Sequence, residues 1–197
     1  MSPEDRRAAP PVIVEPEPGS IADTFRELLP DIEFQAIQAA QDVLLVVGKN
    51  DAHRVLEEAK NNPRLAMDFL RDLCGIDQEG GNFEVVYQLW SMKHRHGVTL
   101  KAKLTLDDLH IPTASDLWTA ANWHERECRD MFGIVFDGHP NLVPLLLPDD
   151  MLDHFPLRKD NPLAPLEEWQ GTNLGPAMGR AGHIPPGSGI EVKAEGD

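Results

Sequence analysis

The segment His124–Cys128 contains the residues closest to a catalytic pattern. His124, Glu125 and Cys128 follow the order and spacing of the zinc-peptidase motif H-E-x-x-H, with cysteine in place of the second histidine. Side chains four positions apart share one face of a helix, so an imidazole and a thiolate could reach the same Zn²⁺ ion. A hydrolytic site also needs a third ligand and a base directed at bound water, and no nearby residue supplies them. An independent zinc-dependent hydrolase is therefore only a minor alternative.

A glycine-rich segment follows at residues 133–140. Gly133 and Gly138 have a spacing that resembles a phosphate-binding loop, but the Gly-Lys-Ser/Thr sequence that would bind phosphate and Mg²⁺ is missing. His139 precedes Pro140, whose ring keeps the preceding residue out of the helical region. We interpret His139 as a structural hydrogen-bonding residue, and no nucleotide site is predicted.

Charge and composition exclude several classes of protein. The chain has 197 residues and a formal charge of -15, which disfavours binding to nucleic acid or to anionic lipid. Cys74 and Cys128 are its two cysteines, too few for an iron-sulfur cluster or a four-cysteine zinc site. No apolar run approaches the roughly 20 residues that cross a bilayer, and no secretory signal is visible. The sequence thus predicts a chain of the cytoplasm that carries no redox cofactor.

The pattern of apolar residues predicts an α+β domain at 20–168. A flexible arm, 1–19, precedes it, and an extended Gly/Pro-rich tail, 169–197, follows it. Periodicity and turn residues predict a two-layer domain, with a mainly antiparallel or mixed sheet and helices on one face. The predicted helices are 21–29, with Ser20 as its cap, and 50–60; the predicted strands are 32–36, 42–48, 69–76, 83–90 and 98–104.

The segment 115–133 is also predicted to be helical. Ser115 opens a short helical turn, and Asn122 opens a longer helix that ends near Gly133. Glu125 stands three residues after Asn122, a spacing that predicts a capping box. Residues four apart are neighbours on a helix surface, so surface ion pairs are predicted between Glu125 and Arg129 and between Arg126 and Asp130.

Three blocks, 125–133, 136–140 and 156–160, together resemble a known family. The chain resembles the 30 kDa subunit, also designated C, of respiratory complex I (NADH-quinone oxidoreductase), and the resemblance covers about residues 20–168. The family usually has one or two arginines shortly after His-Pro, whereas this chain has Val143 and Pro144 there. The motif residues are Glu125, Arg126, Glu127, Asp130, Gly133, Gly138, His139, Pro140, Pro156, Leu157, Arg158, Lys159 and Asp160.

This resemblance implies a non-redox accessory subunit of the hydrophilic arm of a proton-translocating enzyme. It implies docking on the hydrogenase-like subunit that helps form the quinone site, beside iron-sulfur subunits. Flavin, iron-sulfur clusters, NADH and quinone would belong to the complex and none to this chain. The implied location is the cytoplasmic side of the bacterial inner membrane, reached only through the complex. Membrane-bound nickel-iron hydrogenases and deazaflavin-linked dehydrogenases contain related subunits and are the alternatives.

The motif and the residues that follow it are interpreted as an interface. The charged motif residues would form a docking surface that sets register. Five apolar residues would be buried against a neighbouring chain, and the alternative is that they belong to the domain's own core. These five are Leu145, Leu146, Leu147, Met151 and Leu152.

Overall fold

The computed structural model describes residues 14–39, 42–148, 151 and 154–161. Most of the predicted arm and the whole predicted tail therefore lie outside the described residues. One compact unit ends at Lys159, and residues 160–161 belong to a second unit. In chain order the elements are α1 (Ile21–Leu28), β1 (Gln35–Gln38), β2 (Val43–Gly48), α2 (Lys49–Asn61), β3 (Phe69–Asp77), β4 (Asn82–Ser91), β5 (His96–Thr105), β6 (His110–Pro112), α3 (Ala121–Phe132) and β7 (Val135–Asp137).

A five-stranded mixed sheet forms the centre of the fold. Its strand order is β1-β2-β5-β4-β3. Strands β3, β4 and β5 are consecutive antiparallel neighbours, whereas β2 runs parallel to β5 and β1 runs antiparallel to β2. Strands β6 and β7, which were not predicted from the sequence, form a separate parallel pair. The predicted α+β class with a mixed sheet is confirmed.

The strands β3 to β5 form where apolar residues alternate between turn signals. Gly80 and Gly81 have positive φ angles in the turn before β4, a conformation that glycine adopts without a steric penalty. Leu100 and Ala102 of β5 pair with Tyr87 and Val85 of β4, and all four are buried on one face. This is the even-numbered face of β5 that the alternation predicted.

All three helices contribute to the core on that face of the sheet. Phe25 of α1, Val55 of α2 and Phe132 of α3 belong to one continuous apolar cluster with the inner residues of the strands. Helix α3 packs closely on β3 at Gly75. A Cβ atom added there would lie only 2.6 Å from the Phe132 ring, so the absence of a side chain permits this approach. The sheet therefore fixes the position of α3, which carries the first motif block.

Two local predictions differ from the structure. Ser20 stands at the N-cap of α1, but its hydroxyl makes no capping hydrogen bond, and Asp23 instead accepts the Gly19 N–H at 2.7 Å. Strand β1 covers 35–38 and not 32–36, since its pairing with β2 sets its position. The short turn predicted at Ser115 is confirmed, because the Leu117 and Trp118 N–H groups both donate to the Ala114 carbonyl.

Candidate functional site

Glu125 is buried in the middle of α3 and binds a loop that precedes the helix. The Thr113 hydroxyl donates to Glu125 Oε2 at 2.5 Å, and the Ala114 backbone N–H donates to Oε1 at 2.6 Å. Burial raises the pKa of Glu125 to about 7, although both hydrogen bonds act to lower it. The predicted capping box is wrong, because α3 begins at Ala121 and the Glu125 side chain points into the protein.

Two further polar side chains lie beside Glu125. His139 Nε2 is 3.9 Å from Glu125 Oε2 and donates to the Asn122 carbonyl at 3.1 Å, while its Nδ1 accepts the Asn141 N–H at 3.0 Å. These bonds select the neutral imidazole with its proton on Nε2, and they are the structural hydrogen bonds expected for His139. The Tyr87 hydroxyl is buried without a hydrogen-bond partner in the described residues, and burial raises its pKa well above the ordinary value.

Asp130, also buried, binds the backbone of the loop 143–147. Its Oδ2 accepts the N–H groups of Leu145, Leu146 and Leu147 at 2.7, 2.8 and 3.2 Å, and Arg129 Nη1 lies 3.2 Å from Oδ1. Burial alone would raise the pKa of Asp130, but the three N–H donors and Arg129 hold it below its ordinary value. This carboxylate therefore stays charged and fixes the loop against α3.

Arg126 binds the start of the same loop. Its Nε and Nη2 donate to the carbonyls of Val143 and Pro144 at 2.9 and 2.8 Å. The guanidinium also lies over the Trp123 ring, 5.3 Å from its centroid. The predicted surface pairs along α3 are therefore wrong, because the side chains of Arg126 and Asp130 bind loop backbone.

Gly133 ends α3 and lies against the third motif block. Its φ of 75° is the left-handed conformation that favours glycine at a helix end. Arg158 Nε donates to the Phe132 carbonyl at 2.6 Å, and its guanidinium lies 4.1 Å from the Phe155 ring centroid. A Cβ atom at Gly133 would lie 2.5 Å from Arg158 Nη2 and 2.8 Å from Phe155 Cζ, so a larger residue would displace these side chains.

The rest of the third block joins the end of α3 to the turn between β3 and β4. Leu157 N–H donates to the Met131 carbonyl at 3.2 Å. Lys159 N–H donates to Asp77 at 3.0 Å, and its Nζ lies 3.2 Å from Glu79. Of the remaining motif residues, Pro156 is half-buried and Glu127, Gly138, Pro140 and Asp160 are exposed.

These positions correct the predicted docking surface. Glu125 and Asp130 are buried within the chain and bind its own loops, so they present no charge to a partner. Arg158 likewise contacts the end of α3. Thr113, whose hydroxyl binds Glu125, was not predicted from the sequence, because its position 12 residues before Glu125 matches no local capping pattern.

Apolar side chains, in contrast, are exposed beside the motif. We define the α3 flank as Trp123, Val143, Leu146 and Leu157, which are 62%, 43%, 58% and 55% exposed. Arg126 and Asp130 hold the loop residues of this flank beside α3. Of the apolar residues predicted to form an interface, Leu146 is exposed, Leu145 and Leu147 are half-buried, Met151 is 37% exposed, and Leu152 lies outside the described residues.

The residues of the hydrolase alternative have separate environments. His124 Nδ1 lies 3.7 Å from an Asp72 oxygen, and Glu125 binds the loop at Thr113. The Cys128 thiol is buried, and burial raises its pKa, which disfavours the thiolate that binds zinc. Within the described residues, no three His, Cys, Asp or Glu side chains lie close enough together to hold a metal ion.

The mixed sheet and the α3 motif define the chain as an α+β domain in which charged helix residues fix a partly exposed loop. A family model described as the 30 kDa subunit of respiratory-chain NADH dehydrogenase matches residues 45–167. The chain therefore belongs to this family. Across the described stretches of the chain, no helix has both the length and the apolar character needed to cross a membrane.

Two curated relatives are named as the C subunit of NADH-quinone oxidoreductase. The protein from Roseiflexus sp. (strain RS-1) is 38% identical over 146 residues, which are 73% of this chain and 83% of the relative. The protein from Roseiflexus castenholzii is 42% identical over 137 residues, or 68% of this chain and 78% of the relative. Both names describe part of an oxidoreductase complex.

Two solved structures have a similar fold. A trypsin-resistant fragment of Nqo5 is 26% identical, with a TM-score of 0.53, and the match covers 62% of this chain and 96% of the fragment. A chain of a membrane-bound sulfane sulfur reductase, an archaeal respiratory membrane complex, is 22% identical, with a TM-score of 0.65, and the match covers 83% of this chain and 97% of that chain. The second likeness concerns the fold alone.

Proposed function

We propose that this chain is a non-redox subunit in the hydrophilic arm of a proton-translocating NADH-quinone oxidoreductase. It docks on the hydrogenase-like subunit that helps form the quinone site, on the cytoplasmic side of a bacterial inner membrane. Family membership and the names of the relatives support the complex. Flavin and iron-sulfur clusters in neighbouring subunits transfer the electrons there.

The exposed α3 flank is the observation that supports docking. An indole and branched aliphatic side chains grouped on a surface are typical of the centre of a protein interface. Trp123 is 62% exposed, and its Arg126 neighbour adds a residue type that is enriched among interface anchors. This flank is the surface that we assign to the hydrogenase-like subunit.

The loop that carries half of this flank is held in place before any partner binds. Arg126 donates two hydrogen bonds to its carbonyls, and Asp130 accepts three from its N–H groups. A loop fixed in advance loses less conformational entropy on binding, and affinity rises accordingly. The buried charges of the motif thus support docking indirectly, by shaping the apolar surface.

Incorporation of flank variants into the complex tests this proposal. We expect Leu146→Asp and Leu157→Asp to reduce incorporation of the tagged chain, measured on native gels of gently solubilised membranes, by about ten-fold or more. Leu106→Asp is the matched control, because Leu106 is 49% exposed in the turn that follows β5. Circular dichroism of each purified chain checks that folding is unchanged. Wild-type incorporation of both flank variants would contradict docking through this flank.

Identification of the companion chains tests the kind of complex. Mass spectrometry of the purified assembly should find flavin- and cluster-bearing subunits, with NADH-dependent reduction of quinone. Nickel in the companions would instead indicate a hydrogenase, and oxidation of a reduced deazaflavin without NADH activity would indicate a deazaflavin-linked dehydrogenase. Recovery of the chain alone with bound zinc would contradict all three assignments.

A further inference from the structure

A second surface feature lies at the turn between β4 and β5, away from the α3 flank. It is a cleft of about 480 Å³, a size within the range of ligand clefts. Its lining includes Arg71 of β3, Trp90 of β4 and Arg95 of the turn, with Asp42 as its carboxylate. We call this feature the Arg71–Arg95 cleft.

Two of the described cations that make no side-chain hydrogen bond or ion pair lie in the turn beside this cleft. The chain has 33 acidic and 18 basic side chains, so most cations can find a carboxylate. Within the described residues, Lys93 and Arg95 make no side-chain hydrogen bond or ion pair, and Arg71 reaches Asp42 only at 3.8 Å. Lys103 on β5 is the third described cation of this kind. Those paired with a carboxylate are Arg26, Lys49, Arg54, Arg64, Lys101, Arg129 and Lys159.

One guanidinium of the cleft contacts an aromatic ring and remains partly exposed. Arg71 lies over Trp90, 4.7 Å from the ring centroid, and 46% of its side chain is exposed. The contact with Trp90 restricts the guanidinium, and its exposed part can bind a carboxylate through two parallel hydrogen bonds. His96 donates through Nε2 to the Leu65 carbonyl, and burial lowers its pKa, so the positive charge comes from arginine and lysine.

We propose that the Arg71–Arg95 cleft binds a short acidic segment of a partner protein. Within the described lining, the two cations Arg71 and Arg95 face the single carboxylate of Asp42. Lys93 adds a third cation in the adjoining turn, where Asp68 accepts the Met92 N–H. A short acidic peptide would contact only this positive surface. A nucleic acid or an anionic membrane would extend over the rest of a chain that carries a charge of -15, and would be repelled there.

Binding of a synthetic peptide to the full chain tests the proposal. The probe is a fluorescein-labelled octapeptide of alternating glutamate and alanine, and its anisotropy reports binding at low salt. We expect Arg95→Glu and Arg71→Glu each to weaken binding by about ten-fold, and we expect binding to weaken as salt is added. Arg54→Glu is the matched control, because Arg54 is 55% exposed and paired with Asp31 elsewhere on the chain. It should change binding by less than about two-fold, since Arg54 is not part of the cleft lining and the variant changes the charge at a distance.

Other outcomes would overturn the proposal. Equal weakening by Arg54→Glu, or equal binding of the peptide with glutamine in place of glutamate, would show that the cleft does not recognise the carboxylates. Tighter binding to phosphatidylserine vesicles, lost in the same Arg95→Glu and Arg71→Glu variants, would assign the surface to a membrane instead. None of these variants alters the α3 flank, so the result is independent of the proposed docking on the hydrogenase-like subunit.

Discussion

The sheet half of the chain consists of β1 to β5 with α1 and α2, and the motif half consists of α3 with the described residues 133–148 and 154–159. The two halves are stabilised by different contacts. In the sheet half, ladder hydrogen bonds join the strands, and apolar side chains such as Leu100 and Val55 fill the core. In the motif half, the short loops are bound to α3 by side chains that reach backbone groups, above all Glu125 and Asp130. The first half relies on repeated contacts, and the second adds a few specific ones to the core contacts of residues such as Phe132 and Ile134.

This difference explains why the motif half contains both buried carboxylates and exposed apolar side chains. Two of its carboxylates, Glu125 and Asp130, are inside, where they satisfy backbone N–H groups that have no strand neighbour. Some of its apolar residues are outside on the α3 flank, whereas Phe132 and Ile134 belong to the core. Apolar residues are interchangeable in a core when volume is conserved, whereas a carboxylate that accepts several N–H groups has no equivalent. A residue pattern typical of a charged surface can therefore indicate internal bonds.

The largest expected effect is that of Asp130→Ala. The variant leaves the N–H groups of residues 145–147 without their acceptor and should reduce the free energy of unfolding by about 4 kcal/mol. Urea unfolding measures the loss. Hydrogen exchange should accelerate first at residues 145–147, because the lost bonds are local.

Leu100→Ala is the comparison variant in the sheet half. Leu100 is 1% exposed, and its truncation should cost about 3 kcal/mol through the cavity that it leaves. Exchange should then accelerate across β4 and β5 together. If Asp130→Ala and Leu100→Ala accelerated exchange in the same residues, the two halves would not be stabilised by different contacts.

The second prediction concerns the pH dependence of stability. Because burial raises the pKa of Glu125 from 4.5 to about 7, the stability linked to its proton is present below about pH 4.5 and is lost as pH rises through about 7. Over that range, wild type should lose about 3 kcal/mol more than Glu125→Gln, which mimics the protonated acid. Chemical unfolding at several pH values measures the difference. Parallel pH profiles for the two proteins would show that Glu125 stays ionised.

The smallest expected effect is the difference in stability between alanine variants of two motif glycines. Gly133→Ala should cost about 2 kcal/mol, since the added methyl group meets Arg158 and the backbone keeps a φ of 75°. Gly138 has a similar φ of 83°, but a Cβ atom added there would lie 3.6 Å from its nearest neighbour, Thr113 Cγ2. We therefore expect Gly138→Ala to cost only about 1 kcal/mol, from backbone strain. Thermal unfolding of both variants measures the difference. Equal losses would mean that the contact with Arg158 adapts freely.

Local sequence signals predicted the sheet half well. Alternation and turn glycines located β3, β4 and β5 within a few residues, because these strands pair with their neighbours along the chain. Strand β1 was misplaced, since its position depends on pairing with β2 and on a Val14 carbonyl that accepts the Gln38 N–H. The parallel strands β6 and β7 were missed because each has only three residues.

In the motif half, the sequence identified the motif residues but not their hydrogen-bond partners. Gly133 was correctly placed at the end of α3, because a left-handed helix end is a local feature. Glu125 and Asp130 were assigned to surface pairs, since helical spacing alone does not show which face is buried. Their actual partners, at Thr113 and at residues 145–147, are brought to α3 by tertiary structure.

The parallel pairing of β2 with β5 also has a consequence for how the chain folds. Val43 of β2 pairs with Val98, with the whole of α2, β3 and β4 between them in the sequence. Closing a long loop costs more entropy than forming a hairpin, so the β3–β4–β5 meander should form before β2 joins it. During synthesis, β1 and β2 leave the ribosome before the other strands, but β2 cannot join the sheet until β5 has been made. A chaperone that binds the nascent chain would find the apolar run 43–47 exposed during this interval.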